Sequence, residues 1–379
     1  MLGIFLGFLL AFLCAFFSLH PNFVFPFASE NFVFQTDAIA SISFLICFSA
    51  FSLFTNIFFI PDSASMASIL PMQHMVLNGK AKKIFLILSE SFLVTGIISF
   101  ALHPIFNVFY QFFVQFSLSK SAYFIAFLAI IFILSEKSAR KMVLAFFIWI
   151  FSGLLGVIIF NHCNISNPTL PLLSGFFGLG TIFISNEKSI EIPKQKQVEC
   201  IHINPLVYLA GNVVGWTSLV FPSVGLAPAL LIFSLFKLKN ETFLALMSSA
   251  SLSGVIYSVI LAYDFGTIRN GAVFYIFNSF PWVSDIFIFS VSLASVAIVV
   301  LFINIFSDNV INFLANVDVS RVYLVSSSLI ILGVYLQSGT LGLLVMSAAL
   351  SLSIFSFSNG VKRTHCLASL IIPVMLTYL

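Results

Sequence analysis

Charged residues are scarce in this chain. Asp, Glu, Lys and Arg make up 8% of its 379 residues and hydrophobic residues make up 60%, whereas about 25% of the residues of an ordinary soluble domain are charged. So little charge excludes a soluble globular protein. The Lys and Arg also lie in short clusters between apolar runs, so the formal net charge of +3 gives no reason to expect a nucleic-acid partner.

Motifs for catalysis and cofactor binding are also lacking. The five cysteines show no CxxC or other metal-like spacing, and the chain has no GxxxxGKS/T loop for a nucleotide. Its thirteen acids are dispersed singly rather than paired. We therefore expect no enzyme activity, no cofactor and no metal site.

What the chain does have is a series of long apolar runs. Each run approaches the roughly 20 residues needed to cross a hydrocarbon core of ~30 Å, which leaves room for about ten to twelve crossings. The first run lacks a basic n-region and a small-x-small cleavage site, so we expect it to remain as a membrane element. The composition predicts an all-α polytopic membrane protein.

The apolar segments differ in length. In the first half they cover 2–19, 38–60, 84–102, 104–118, 121–135, 142–160 and 170–185, and in the second half 206–221, 224–236, 243–263, 272–280, 284–306, 322–336, 339–358 and 364–379. Segments 104–118, 224–236 and 272–280 are short and flanked by Pro or Gly. Short segments of this kind are typical of re-entrant or broken helices, which membranes tolerate only around protein or water-filled cavities.

The two halves of the chain share sequence features and are separated by a hydrophilic stretch near the midpoint. We predict a first transmembrane repeat at 1–185, a linker at 186–205 and a second repeat at 206–379. In the first repeat a glycine pair spaced four apart leads to "FSLHPN", and in the second an equally spaced pair leads to "FPSVGLAP". Internal duplication of this kind is common in transporters.

Basic clusters predict the orientation of the chain. Loops with an excess of Lys and Arg stay in the cytoplasm, and such clusters occur at Lys80, Lys82 and Lys83 and at Lys137, Arg140 and Lys141. The segment 20–37 has two acids and no base and is predicted to lie outside. We therefore expect a multi-pass protein of the cell membrane with a cytoplasmic N-terminus.

The relative orientation of the repeats is less clearly marked. The base-free loop at 20–37 corresponds to the region of Lys237 and Lys239, which favours inverted repeats, whereas Lys362 and Arg363 favour the opposite arrangement. We expect inverted repeats.

Six blocks in a fixed order resemble the large membrane subunit of the tripartite tricarboxylate transporters, in its lone archaeal branch. The blocks are "GFLLAFLCAFFSLHPN", "FFIPDSASMASILPMQHMVLNGKA", "LPLLSGFFGLGTIFIS", "GNVVGWTSLVFPSVGLAPA", "SASLSGVIYSVILAYDFGTIRNGA" and "NGVKRTHCLASLIIPVML". The resemblance implies a permease for small organic anions such as di- or tricarboxylates, driven by a Na⁺ or H⁺ gradient. It also implies a solute-binding protein or a small membrane subunit as partners, and a homo-oligomer is a further partner hypothesis.

The chain departs from this family at the two polar breaks. The family typically carries a Pro-Gly pair there, whereas this chain has Phe17-Ser18 in the first repeat and Pro222-Ser223 in the second. Glycine would permit a positive φ or a close approach of the backbone to a ligand, and serine restricts the first of these.

The polar breaks supply the candidate site residues. Interrupted helices expose N–H groups with a partial positive charge that can hold a carboxylate at membrane depth. The predicted substrate-binding residues are Ser18, His20, Asn22, Thr55, Asn56, Ser63, Ser223, Gly225, Ser249 and Ser251, and the predicted ion-coupling residues are Asp62 and His20.

Structural alternatives stand beside these roles. His20 can simply cap a helix, Asp62 can be a solvated loop acid, and the serines at 248–253 can be small packing residues. Arg269 can face an anion or extend to the membrane interface. For the whole chain, the alternatives are a membrane assembly subunit without transport and a membrane enzyme acting on lipid-linked substrates.

Overall fold

The computed structural model describes residues 1–31, 37–59, 71–117, 121–165, 167–185, 193, 203–220 and 238–377. These residues form helices and connecting turns, with no strand among them. Six of the helices are long and apolar enough to cross a membrane. The prediction of an all-α polytopic membrane protein is therefore confirmed. In lipid an α-helix satisfies its backbone hydrogen bonds within one segment, which explains why so apolar a chain is helical.

The described residues form the following helices in chain order. In the first half they are α1 Leu2–Phe16, α2 Pro21–Asn31, α3 Ala38–Phe59, α4 Pro71–Leu77, α5 Ala81–Ser117, α6 Ser121–Leu134, α7 Ala139–His162, α8 Thr169–Leu173 and, after π-helical turns at Ser174–Leu179, α9 Gly180–Ser185. In the second half they are α10 Leu206–Val220, α11 Asn240–Phe265, α12 Gly271–Ser279, α13 Asp285–Asn316, α14 Val319–Ser358, a 3₁₀ turn at Arg363–Leu367, and α15 Ala368–Thr377.

Two predicted breaks have different outcomes. The separate segments 84–102 and 104–118 were a wrong prediction, because α5 runs through Pro104 as one helix of 37 residues. Neighbouring helices can support a proline inside a membrane helix. The break between 322–336 and 339–358 is real, since Gly339 has φ 60 inside α14. A Cβ on Gly342 would lie 3.3 Å from Val334, so the chain reverses there and α14 is a helical hairpin.

The two other short segments also differ in outcome. The predicted half-helix at 272–280 is α12, which has nine residues. The segment 224–236 lies outside the described residues, as does most of the predicted linker at 186–205.

The first glycine pair packs α1 against α3. Gly3 lies against Asp37, and Gly7 lies against the backbone of Ala40 and Phe44. Because higher residue numbers in α1 meet higher numbers in α3, the two helices run parallel. Helix α2 runs in the opposite direction to α3, since His20 meets Phe48 and Phe25 meets Phe44, so the chain turns back at 17–20.

The second glycine pair packs α10 against α11 in the same way. Gly211 lies against Ser249, and Gly215 lies against Ala250 and Ser253. These helices are also parallel, and the offset of nearly forty residues matches that of the first pair. Close packing through small residues is thus the role of both pairs.

The two parallel pairs run in opposite directions. Helices α5 and α13 are antiparallel, since Lys82 pairs with Asp308 at 2.7 Å at one end and His103 with Asp285 at 3.0 Å at the other. We call these the basic end and the histidine end. Phe54, late in α3, contacts Phe85 near the basic end, with ring centroids 4.5 Å apart. Helix α3 therefore runs towards the basic end.

Helix α11 runs the other way. It begins with Glu241 bound to Lys83 at 2.6 Å and ends with Asp264 4.0 Å from His103. Corresponding elements of the two halves thus cross the molecule in opposite directions, as in inverted repeats.

The N-terminus lies at the histidine end. Gly3 contacts Asp37 at the start of α3, and α3 ends near the base of α5. The N-terminus and Lys82 are consequently at opposite ends. The predictions of a cytoplasmic N-terminus and of cytoplasmic Lys80, Lys82 and Lys83 therefore cannot both hold, because α1 enters the bundle and turns back instead of crossing it.

The core divides into one large cluster and two smaller ones. The large cluster joins apolar side chains of α1–α5 and α10–α13. The smaller clusters join α7, α8, the π-helical turns and α14. The candidate site lies in the large cluster.

Candidate functional site

A pocket of about 300 Å³ lies at the turn between α1 and α2. Its depth follows from Ser251 on α11, which comes ten residues after Glu241 at the basic end and thirteen before Asp264 at the histidine end. The pocket is therefore near mid-membrane. The described residues that line it are Ala15, Ser18, His20, Pro21, Leu45, Phe48, Ser49, Ser52, Ser251, Val255 and Asn270.

Ser18 sits in a left-handed backbone conformation at the end of α1, with φ 55. The Ser18 N–H donates to the Ala15 carbonyl at 3.1 Å, and the Leu19 N–H donates to the Cys14 carbonyl at 2.8 Å. This pair of bonds is a Schellman motif, in which Ser18 occupies the position that usually holds glycine. Ser18 thus adopts a conformation that glycine favours and adds a hydroxyl to the pocket.

His20 both caps a helix and lines the pocket. Its Nδ1 accepts a hydrogen bond from the Asn22 N–H at 3.2 Å, at the start of α2. The ring also packs edge-on against Phe48 on the pocket wall. The capping and site roles are therefore compatible at this residue.

Two asparagines hold the start of α12 beside the start of α2. The Ala272 N–H lies 3.0 Å from the Asn22 Oδ1 and 3.0 Å from the Asn270 Oδ1. The positive ends of the α2 and α12 dipoles therefore meet at the pocket, each worth about half an elementary charge. Helix N-termini arranged in this way attract anions.

Hydroxyls complete the polar wall. Ser49 and Ser52 on α3 donate to the carbonyls of Ile46 and Ser49 at 2.7 and 3.3 Å. Among the lining residues that the structure describes, none is Asp, Glu, Lys or Arg. The pocket therefore offers dipoles, hydroxyls and amides to a ligand rather than full charges.

The structure brings together some predicted site residues and separates others. Ser18, His20 and Ser251 line the pocket, and Asn22 lies beside it. The Thr55 hydroxyl donates to the Phe51 carbonyl at 3.1 Å within α3 and does not line the pocket. Ser249 is buried against Gly211 and has a packing role. The backbone of Asn56 belongs to α3, but its side chain is outside the described residues, as are Asp62, Ser63, Ser223 and Gly225.

Arg269 binds the carbonyls at the end of α10. Its Nε donates to the Leu219 carbonyl at 3.1 Å and its Nη2 to the Val220 carbonyl at 3.4 Å. A cation at the C-terminus of a helix satisfies free carbonyls and opposes the negative end of the dipole. Arg269 therefore caps α10.

Sequence reasoning missed three polar lining residues, Ser49, Ser52 and Asn270. The two serines lie inside an apolar run, where a small hydroxyl looks like packing. Asn270 precedes Gly271 at the start of α12, and this helix-cap pattern was the available signal. Reasoning from sequence also missed a buried pair in which the Tyr208 hydroxyl donates to Glu90 at 2.8 Å.

Comparison with known proteins gives one distant relative. The chain is 23% identical to an uncharacterized protein of Methanocaldococcus jannaschii over 335 residues, which cover 84% of this chain and 83% of that protein. The similarity therefore extends over nearly the whole of both chains. No protein-family model and no solved structure matches the chain.

Proposed function

We propose that this protein is a secondary transporter for small organic anions, of the size and charge of di- or tricarboxylates. One observation carries the proposal, namely that two helix N-termini converge on an uncharged polar pocket of about 300 Å³ near mid-membrane. A volume of that order suits a small ligand.

The chemistry of the pocket favours reversible binding. Partial charges at the starts of α2 and α12 compensate a carboxylate, and Ser18, His20 and Asn270 can supply hydrogen bonds. A lysine or arginine in this low-dielectric setting would bind an anion more strongly and slow its release. A carrier needs both binding and release.

The architecture favours alternating access. Oppositely directed repeats around a midplane site let one site open to either side of a membrane. Because the sequence has no nucleotide loop, the energy comes from a Na⁺ or H⁺ gradient or from the gradient of the substrate itself. The resemblance to tricarboxylate permeases supports the same substrate class.

Uptake into proteoliposomes tests the proposal. The purified protein is reconstituted alone and supplied with labelled di- and tricarboxylates, with and without Na⁺ and pH gradients. We expect gradient-dependent uptake, and we expect His20→Ala to abolish both uptake and substrate-dependent thermal stabilisation. Thr55→Val is the matched control, since Thr55 was predicted for the site but lies outside the pocket.

The absence of carboxylate uptake under every gradient would overturn the proposal. Equal loss in His20→Ala and Thr55→Val would show that the pocket is not the binding site.

A further inference from the structure

Three titratable side chains from three helices meet at the histidine end. His103 on α5 lies between Asp285 at the start of α13 and Asp264 near the end of α11. The His103 Nε2 is 3.0 Å from the Asp285 Oδ2 and 4.0 Å from the Asp264 Oδ2. One ligand atom from each residue lies within 4.8 Å of the others. None of the three lines the pocket.

The cluster carries more negative than positive charge. Among the described residues, no Lys or Arg forms an ion pair with Asp264 or Asp285. The nearest basic residue in sequence, Arg269, binds the carbonyls that end α10. Helix α10, which also packs against α5, contains no charged residue. Two carboxylates with one imidazole therefore leave a site that a cation would stabilise.

Two polar atoms beside the cluster have no hydrogen-bond partner. Asn107 lies one turn beyond His103 on α5 and hydrogen-bonds Asp264 through its side chain. Its Oδ1 is buried with no partner, and so is the Nδ1 of His103. An unpaired buried acceptor is costly. A half-turn of the Asn107 amide would present this oxygen to the cluster.

We propose that His103, Asp264, Asp285 and Asn107 form a binding site for a divalent first-row transition metal such as Zn²⁺ or Mn²⁺. An imidazole nitrogen with two carboxylates is a ligand set for these metals rather than for Ca²⁺ or Mg²⁺. Metal–ligand bonds of about 2.0–2.2 Å place tetrahedral donors about 3.3–3.6 Å apart. The His103 Nε2 lies 3.0 Å from the Asp285 Oδ2 and 4.0 Å from the Asp264 Oδ2, on either side of that spacing. Each donor therefore needs to move by less than about 1 Å to bind a metal.

The metal would fasten three helices at one end of the molecule. Helix α5, the parallel α11 and the antiparallel α13 contribute one ligand-bearing segment each. The two carboxylates neutralise the charge of a divalent ion. The site is separate from the anion pocket and does not depend on transport.

Metal titration of the purified protein tests this site. After chelator treatment and dialysis, binding of Zn²⁺ and Mn²⁺ is measured by calorimetry, and bound Co²⁺ is measured by its visible absorption. We expect one equivalent per chain and a metal-dependent rise in melting temperature. His103→Ala and Asp285→Asn should each weaken the affinity at least about tenfold.

Controls separate a metal site from a merely structural cluster. Asp285→Asn keeps an oxygen that accepts from His103, and its melting temperature without metal shows whether it is folded. His162→Ala removes an exposed histidine at the end of α7 and should bind metal like the parent. Failure of the parent to bind one equivalent, or unchanged affinity in both cluster variants, would overturn the site and leave the transport proposal untouched.

Discussion

At the scale of single residues, the turn after α1 combines backbone strain with a polar function. Ser18 holds φ 55, a conformation that disfavours every residue with a Cβ. The same residue lines the pocket. Strain of this kind is often retained at binding sites, where geometry matters more than stability.

Replacing Ser18 with glycine should separate these two contributions. We expect Ser18→Gly to raise the free energy of unfolding in detergent by about 1 kcal/mol, because glycine adopts a positive φ without steric cost. We also expect weaker substrate binding, since the hydroxyl is lost. Chemical denaturation and substrate-dependent melting measure the two effects, and Ser18→Ala, which keeps the strain, is the control. A Ser18→Gly protein less stable than the parent would contradict this account of the turn.

Asn22 offers a test of the charge requirement in the pocket. Its Oδ1 accepts from the Ala272 N–H at 3.0 Å, and an aspartate in its place can accept the same bond. We expect Asn22→Asp to remain folded, because a negative charge suits a helix N-terminus. Anion uptake should fall about tenfold or more, since the new charge repels the substrate in a low-dielectric site. Unchanged uptake would show that no anion binds near α2.

At the scale of helices, the glycine pairs decide how closely the parallel helices pack. A Cβ on Gly7 would lie 2.6 Å from the Ala40 carbonyl oxygen and 2.8 Å from the Phe44 nitrogen. Both neighbours are backbone atoms and cannot move aside without separating the helices. A Cβ on Gly254 in α11 would meet nothing closer than 3.7 Å.

Alanine at Gly7 and alanine at Gly254 should therefore change the free energy of unfolding differently. Gly7→Ala should lower the free energy of unfolding by about 1–3 kcal/mol through overpacking. Gly254→Ala should leave it unchanged or raise it by up to about 1 kcal/mol, because alanine is the better helix former. Denaturation of the two purified variants measures both changes. Equal stability of the two variants would contradict the packing of α1 on α3.

At the scale of the whole molecule, a buried pair joins the α6–α7 turn to the C-terminal segment. The His365 Nε2 lies 3.0 Å from the Glu136 Oε1, and the Lys362 N–H donates to the same oxygen at 3.1 Å. The side chains of Glu136 and His365 are 3% and 1% exposed. By contrast, the pair of Lys82 and Asp308 at the basic end is 36% and 64% exposed.

Burial should decide how much each pair contributes. Glu136→Ala leaves the buried His365 imidazole and the Lys362 N–H without an acceptor and should cost about 1–3 kcal/mol of unfolding free energy for each unpaired donor. Lys82→Ala should cost less than about 1 kcal/mol, because water and salt screen its partner. Thermal or denaturant unfolding of both variants compares them. A smaller loss in Glu136→Ala than in Lys82→Ala would contradict the burial of the pair.

Orientation in the membrane is also a property of the whole molecule. Cysteines placed at Leu2 and Trp282, both exposed and both at the histidine end, should react with an impermeant thiol reagent from the same side. A cysteine at Lys239, which lies beside Lys80 at the basic end, should react only from the other side. In a cysteine-free parent protein, we expect Lys239→Cys to be cytoplasmic, because basic loops are retained there. Labelling of Leu2→Cys from the cytoplasm would reverse this assignment.

Composition and residue spacing are enough to predict the class of fold and several local features. The apolar composition predicts a helix for each segment separately, because in lipid each segment must form its backbone hydrogen bonds internally. The short α12 and the break in α14 were therefore predictable from Gly and from segment length. The polar break at Ser18 to Asn22 was predictable for the same reason, as was the small-residue packing at Ser249.

How those segments pack together depends on contacts between residues far apart in the chain. Pro104 does not end α5, which continues to Ser117, and α1 does not cross the molecule, because it turns back at Ser18. Asn270 joins the pocket, and His103 meets Asp264 and Asp285, across separations of more than 150 residues. These long-range contacts depend on the relative directions of the packed helices. Composition and residue spacing do not give those directions.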